Sequence, residues 1–394
     1  MVVGPASRSM GTFVASLCEQ LQQAQHELEL IAEPTTAKQY RLPSTRPLWP
    51  LSPRRFYLWG RVVRRILGAR EVLRHSDIIH AHGLGAARYA MFLTALSKPR
   101  VPLVVSLYEM SNPRKRADSL VRRVFMWQLG RRADLISGSS LRLTAKIDRQ
   151  AADARSTVSF LVSPRVEKLV KTELLNRKQR VENWGKLAAK ERLRNRGQLV
   201  LAVGTVDQEK RFDRFVAAME TMTHPATAVV IGEGDPQLLA RLRSLGPDAQ
   251  VYFLGARANI QEWLQAASVL VVTSQWEARA FVTQEAMAVG LPVVASPVGR
   301  LRDLLSPSAV VETKQLDQAL PDLAKPQSAV GGIFINPEDP EETAGAITQL
   351  LSNPGMWYDT QAQARNRALT WPSIETMARD WLEIYGSCRR NRDR

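Results

Sequence analysis

The sequence predicts an α/β protein made of two doubly wound parallel-sheet domains, and three observations carry that expectation. Short apolar runs alternate with helix-length stretches along the whole chain, the rhythm of βαβ units with both sheet faces covered. The length of 394 residues is too great for one ordinary core and suits two. Hydrophobic residues at 45% and charged residues at 23% give the balance of a globular protein.

The candidate strands of the first half are Val2-Val3, Leu28–Ala32, Ile78–His80, Leu103–Ser106, Leu135–Ser137 and Val158–Leu161. Those of the second half are Leu199–Val203, Ala228–Ile231, Val251–Leu254, Val269–Thr273 and Pro292–Ala295. Most are bounded by Gly, Pro, Ser or Asp. Ligands are expected at the carboxyl ends of such strands. The first run is short for a strand, which usually needs about five residues; either the true start lies upstream or this edge of the sheet is weak.

Ser163 to Gly197 holds two basic helical patterns and no strand, so residues 166–197 are expected to be a basic helical linker between an N-terminal domain, 1–165, and a C-terminal domain, 198–372. Val310–Val330 reads as a polar loop insertion, and Gly331–Ile335 as a turn and strand. Asp339-Pro340-Glu341-Glu342 starts a helix, with an Asp cap, Pro at the first position and acids at the positive dipole end. A last helix over 373–394 shows apolar spacing through Ile374, Met377, Ala378, Trp381 and Tyr385, and is expected to pack back toward the N-terminal domain.

Charge is uneven. The chain carries +16 overall. Residues 1–200 hold 36 Lys+Arg against 15 Asp+Glu, or +21, and the remainder 18 against 23, or −5. A basic first half suits an anionic partner, such as a phospholipid surface or phosphorylated acceptor; solvated arginines on helix faces are the bland alternative. Arg54–Arg74 forms a helical pattern with Leu58, Trp59, Val62, Val63, Ile66, Leu67 and Leu73 on one face and Arg61, Arg64 and Arg65 opposite. Such a helix can lie on an anionic membrane or pack on its own sheet, and Met110–Leu135 repeats the basic theme. No RNA-binding aromatic motif or helix-turn-helix pattern points to nucleic acid.

No apolar run approaches the roughly 18 residues that cross a bilayer, and the opening Met1–Pro5 has no basic n-region, so a cytoplasmic protein is expected. Two cysteines, Cys18 and Cys388, make no disulfide framework. No Asp-x-Asp pair or His/Asp cluster suggests a metal.

The stretch Ser274–Ser296 is the most informative. A strand ends at Thr273, a polar loop carries Glu277, a helix opens near Val282 and carries Glu285, and the helix stops at Gly290. The first amides of such a helix lack intrahelical partners and form an anion site. A carboxylate suits a sugar or ribose diol because it accepts two hydrogen bonds. Taken singly, Glu285 could only stabilise the dipole and Glu277 could be a solvated loop residue.

Two glutamates separated by seven residues, followed by Ala286-Met287-Ala288-Val289-Gly290-Leu291-Pro292-Val293-Val294-Ala295-Ser296, resemble the signature of retaining glycosyltransferase family 4. That resemblance implies the GT-B fold, two Rossmann-like domains facing across a cleft. It implies a nucleotide-sugar donor carrying UDP, GDP or ADP, and no metal. Glu277 would lie beside the transferred sugar, Glu285 would hold the ribose hydroxyls, and amides around Phe281 and Val282 would meet the diphosphate. Leu201–Lys210 is similar to the family's strand, turn and phosphate lysine, which assigns Lys210 a point charge on the donor phosphates. Val230-Ile231-Gly232-Glu233-Gly234 resembles the next strand and glycine turn, and Gly4–Gly11 the first loop, where Gly11 keeps one glycine of two.

The pattern also breaks. Thr205 stands where the family has an arginine, Arg211 where it has a glycine, and Tyr108 where it has a histidine. Arg300 or Arg8 could supply the missing guanidinium. These departures admit a non-catalytic nucleotide-binding scaffold, or a sugar phosphorylase on the same frame, as alternatives. His80 and His82 share a strand face, and their ordinary reading is one packed and one exposed turn histidine.

Overall fold

The computed structural model describes residues 1–4, 8–43, 45–47, 73, 75–95, 100–108, 116–151, 153–159, 161–245, 251–306 and 326–390. The chain divides into unit 1, Met1–Pro164 with Pro372–Arg394, and unit 2, Arg165–Trp371.

Unit 1 contains β1 (Val2–Val3), α1 (Arg8–Gln23), β2 (Leu30–Ala32), α2 (Pro34–Gln39), β3 (Thr45–Pro47), β4 (Ile79–His82), α3 (Leu84–Ala95), β5 (Leu103–Leu107), α4 (Arg116–Arg132), β6 (Leu135–Gly138), α5 (Leu141–Gln150) and β7 (Ser156–Val158). The sheet runs β3-β2-β1-β4-β5-β6-β7, and every pairing is parallel. The short β1 corrects the expectation of a weak edge. It is central, with Val2 paired to both Ile31 and Ala81 and Val3 to both Ala32 and His82. Two residues suffice because neighbours on both sides satisfy their backbone groups.

Unit 2 contains α6 (Val166–Leu169), α7 (Arg177–Lys190), β8 (Gln198–Val203), α8 (Phe212–Thr221), β9 (Ala226–Ile231), α9 (Pro236–Ser244), β10 (Val251–Phe253), α10 (Ile260–Ala266), β11 (Val269–Val272), α11 (Phe281–Ala288), β12 (Val293–Ala295), α12 (Gly299–Leu305), β13 (Gln327–Ala329), β14 (Gly332–Phe334), α13 (Pro340–Ser352) and α14 (Pro354–Leu369). Its sheet runs β10-β9-β8-β11-β12-β14-β13, parallel except for the β13–β14 pair. The strand β13 corrects the reading of Val310–Val330 as loop alone; it is a short antiparallel edge. Residues 307–325 lie outside the described residues, as do 54–72 and 74 of the Arg54–Arg74 pattern.

The 166–197 segment is not a separate linker. Trp184 of α7 is fully buried against Trp263 of α10, ring centroids 6.3 Å apart. Arg180, also fully buried, donates to the carbonyls of Leu264 (2.8 Å) and Ala267 (3.2 Å). Despite its basic composition, α7 turns one face inward, burying Arg180, Trp184, Leu187 and Ala188. Truncating a buried tryptophan to alanine costs about 3–5 kcal/mol, so the segment contributes to unit 2's stability.

The final helix, α15 (Ile374–Arg390), belongs to unit 1 and buries Met377, Ala378, Trp381 and Cys388. His80 meets it, with Nδ1 2.7 Å from the Tyr385 hydroxyl and its ring 4.5 Å from that of Trp381. His80 Nε2 lies 2.7 Å from Ser106 Oγ, and Ser106 Oγ 2.8 Å from Ser137 Oγ. His82 is likewise buried rather than exposed, its Nδ1 2.6 Å from the Tyr108 hydroxyl. Burial, first of all, holds both imidazoles neutral; it pushes His82 down to about 3 and His80 well below the ordinary histidine value.

Candidate active site

In an open parallel sheet the strand order reverses at one point, and the loops leaving the two strands there diverge to leave a crevice. In unit 2 that point lies between β8 and β11. The loop after β8 carries Lys210, and the loop after β11 carries Glu277.

The β8 loop is shaped by Asp207, whose Oδ1 accepts from the amides of Glu209 (2.9 Å) and Lys210 (3.0 Å). This turn swings Lys210 back over Gly204, where a Cβ would stand 3.0 Å from the Lys210 Cε. Lys210 Nζ donates to Glu277 Oε1, and the Ser274 hydroxyl donates to the same oxygen at 3.0 Å. Both side chains are largely buried, with 21% and 12% of their surface exposed. The two described donors thus share Oε1, and Oε2 receives none of them.

The loops are stitched to each other. The amide of Gln275 donates to Glu209 O at 2.7 Å, and Thr273 at the end of β11 donates to the carbonyls of Lys210 and Arg211. Gly299, at φ +50°, lets α12 approach so closely that a Cβ would fall 2.2 Å from Glu277 O. The Arg300 amide then donates to that carbonyl at 2.7 Å. The Arg300 guanidinium turns instead to Asp303, 3.2 Å away, and is itself buried. Its backbone amide thus meets the Glu277 loop.

Phe281 and Val282 are the first two residues of α11. Ala280 precedes them at φ +50°, and its methyl side chain makes no capping hydrogen bond to these amides. Glu285 lies one turn further along, 4% exposed, and its Oε2 stands 3.6 Å from Arg165 Nη1. Thr205 is exposed in the turn after β8. Gly232, at φ +153°, packs on Gly204 so tightly that a Cβ would sit 1.7 Å from the Gly204 carbonyl oxygen. Gly11 lies in unit 1, within α1, and the Tyr40 ring fills the space a Cβ would need.

The structure therefore brings Lys210 and Glu277 together and pairs Glu285 with Arg165. Sequence reasoning missed Ser274, Asp207, Thr273 and Arg165. Asp207 and Thr273 carry the ordinary signals of a turn and a strand end; Arg165, between Pro164 and Val166, is one of many arginines in the first half with nothing to single it out. Among the described residues no group of His, Cys, Asp or Glu could hold a metal ion, and no helix is long and apolar enough to cross a membrane.

Comparison with known proteins places residues 197–353 under the family model "Glycosyl transferases group 1" and residues 10–142 under "Glycosyltransferase Family 4". An uncharacterized glycosyltransferase of Methanocaldococcus jannaschii is 26% identical over 194 residues, 48% of this chain and 44% of that protein. A D-inositol 3-phosphate glycosyltransferase of Xylanimonas cellulosilytica is 28% identical over 204 residues, 49% of this chain and 43% of that one. The matches thus span less than half the length of these two relatives. Among solved structures, Anabaena HepE in complex with UDP and glucose superposes with a TM-score of 0.74 over 98% of this chain and 99% of its own, at 19% identity. The fold is that of the GT-B glycosyltransferases.

Proposed function

Since this chain belongs to glycosyltransferase family 4, we propose that it is a retaining hexosyltransferase. It moves a sugar from a UDP-, GDP- or ADP-sugar to an envelope glycolipid, a polysaccharide or a phosphorylated small acceptor, at the cytoplasmic face of the plasma membrane. The observation that carries this reading is the Lys210–Glu277 contact at the switch point of unit 2. Support for the donor class comes from the UDP in the Anabaena structure. Support for a phosphorylated acceptor comes from the name of the Xylanimonas relative and the basic first half of the chain.

An ammonium has three donors. One is engaged by Glu277, and two remain for the donor's phosphate oxygens. Lys210 and the first amides of α11 stabilise the charge that grows on the departing diphosphate, and no metal is required. Glu277 Oε2 accepts from hydroxyls of the transferred sugar and positions it, without acting as a nucleophile. Glu285 accepts from the ribose hydroxyls. The bond from the anomeric carbon to phosphate oxygen breaks, and the acceptor oxygen bonds to that carbon from the same face. Its proton passes to the leaving phosphate.

A thermal-shift and turnover screen across UDP-, GDP- and ADP-sugars tests the proposal. One donor should raise the melting temperature and turn over, unaffected by EDTA. Glu277→Ala should abolish transfer while nucleotide still binds, and Glu285→Ala should weaken the nucleotide. Silence across the panel would overturn the reading. Thr205 in place of the family's arginine, and an Arg300 held by Asp303, favour as second reading a nucleotide-binding scaffold, which predicts binding without transfer. A sugar phosphorylase would instead respond to inorganic phosphate and ignore nucleotides.

A further inference from the structure

The outward face of α4 in unit 1 is apolar where a helix on a sheet should be polar. Leu120 and Val121 are each 63% exposed, Trp127 52% and Val124 47%. At a period of 3.6 residues, positions 120, 124, 127 and 131 fall within roughly 60° of arc. The opposite face is already committed. Met126 and Leu129 are fully buried in the unit 1 core, and Gly130 rides on Ala151, where a Cβ would meet its Cα at 2.9 Å. The exposed stripe is therefore not a core face awaiting its own sheet.

Charge surrounds the stripe. Helix α4 carries five arginines, at 116, 122, 123, 131 and 132, and one acid, Asp118, a net of +4. Arg123 and Arg131 are exposed, and the Arg131 guanidinium lies 5.0 Å from the centroid of the Trp127 ring. A tryptophan with a cation stacked on it, amid aliphatic side chains and flanked by arginines, suits the boundary between lipid headgroups and acyl chains. We infer that α4 is the element by which this protein docks on an anionic membrane surface, with Leu120, Val124 and Trp127 entering the headgroup layer and the arginines meeting lipid phosphates. Each arginine near such a surface strengthens binding about fivefold. A second copy of the chain fits this face poorly, because a two-fold pairing would set like patches of +4 against each other.

The inference rests on the membrane-side acceptor proposed above, but its test needs no donor or acceptor, so docking and transfer stand or fall separately. The full chain is sedimented with vesicles of phosphatidylcholine alone and of phosphatidylcholine mixed with phosphatidylglycerol. Binding should appear with the anionic vesicles. It should fall at least tenfold in the Val124→Gln/Trp127→Gln double variant, and several-fold in Arg123→Gln/Arg131→Gln, with melting temperatures unchanged because these side chains are exposed. Equal binding to both vesicle types, or undiminished binding by the double variant, would overturn the inference. So would a wild-type dimer that the double variant dissociates without any vesicle binding. A marked fall in melting temperature in the double variant, with vesicle binding intact, would mean that other residues of this chain cover the face, and would overturn it too.

Discussion

The Thr273 hydroxyl lies 3.0 Å from the carbonyl oxygen of Arg211 and 3.1 Å from that of Lys210. One side chain at the end of β11 thereby fixes the turn that aims Lys210 at Glu277. Thr273 is 2% exposed, so replacing it with valine leaves the carbonyls facing a methyl group. Thr273→Val should lower stability by about 1–2 kcal/mol and weaken donor binding, while Thr273→Ser keeps both. Urea unfolding with a nucleotide titration reads this; equal stability in Val and Ser variants would remove the hydroxyl's role.

Arg211 occupies the left-handed region at φ +50°, at the start of α8. A non-glycine residue there costs roughly 1 kcal/mol. Its side chain offsets this in part through Glu338 at 2.7 Å and Asp213 at 3.2 Å, both partly exposed pairs. Glycine relieves the strain but forfeits the pairs; alanine forfeits the pairs and keeps the strain. Arg211→Gly should therefore melt near the wild type and above Arg211→Ala. The reverse order would show that backbone strain is not the deciding factor.

Gly232→Ala places a carbon 1.7 Å from Gly204 O, at a φ of +153° that side chains rarely adopt. Backbone would have to move at the base of the Lys210 turn. A loss of about 3 kcal/mol is expected, read by denaturant unfolding, together with reduced donor affinity. Wild-type stability in this variant would contradict the described contact.

The buried histidines set a pH dependence. His80 and His82 are held neutral in the fold, chiefly by burial, whereas in the unfolded chain they protonate near the ordinary value of about 6.5. Below that pH the unfolded state binds more protons. The stability contribution is therefore full above about pH 6.5 and is lost as the pH falls toward the depressed folded value. The slope approaches roughly 1.4 kcal/mol per pH unit for each histidine. Urea titrations at pH 7.5 and 5 should show the fall, and His82→Asn should make it shallower. Equal stability at both pH values would mean that the imidazoles are protonated in the fold.

Most strands were legible because a buried parallel strand needs an unbroken apolar run: Leu199–Val203 differs from β8 by one residue, and Val269–Thr273 from β11 by one. The misses are edges. Thr45–Pro47 and Gln327–Ala329 are short outer strands with little apolar content. At β7, Val158–Leu161 marked the apolar run, while the pairing falls on Ser156–Val158. The site was legible as a list of residues but not as contacts. Lys210 and Glu277 are 67 positions apart, and only the sheet order makes their loops neighbours. Arg165 was invisible because a charged residue's tertiary partner leaves no periodic trace. The 166–197 segment misled because Arg180, by type a surface residue, is enclosed among carbonyl groups.

Those enclosing carbonyls have an electrical consequence. The Arg180 guanidinium donates to Val289 O and the Arg365 guanidinium to Ala288 O, so two cations sit on the negative pole of α11. The axial field of the helix is thereby cancelled at one end and retained at the other, where the amides of Phe281 and Val282 emerge. A short helix of eight residues then behaves toward an incoming phosphate as a nearly isolated positive terminal rather than as a dipole.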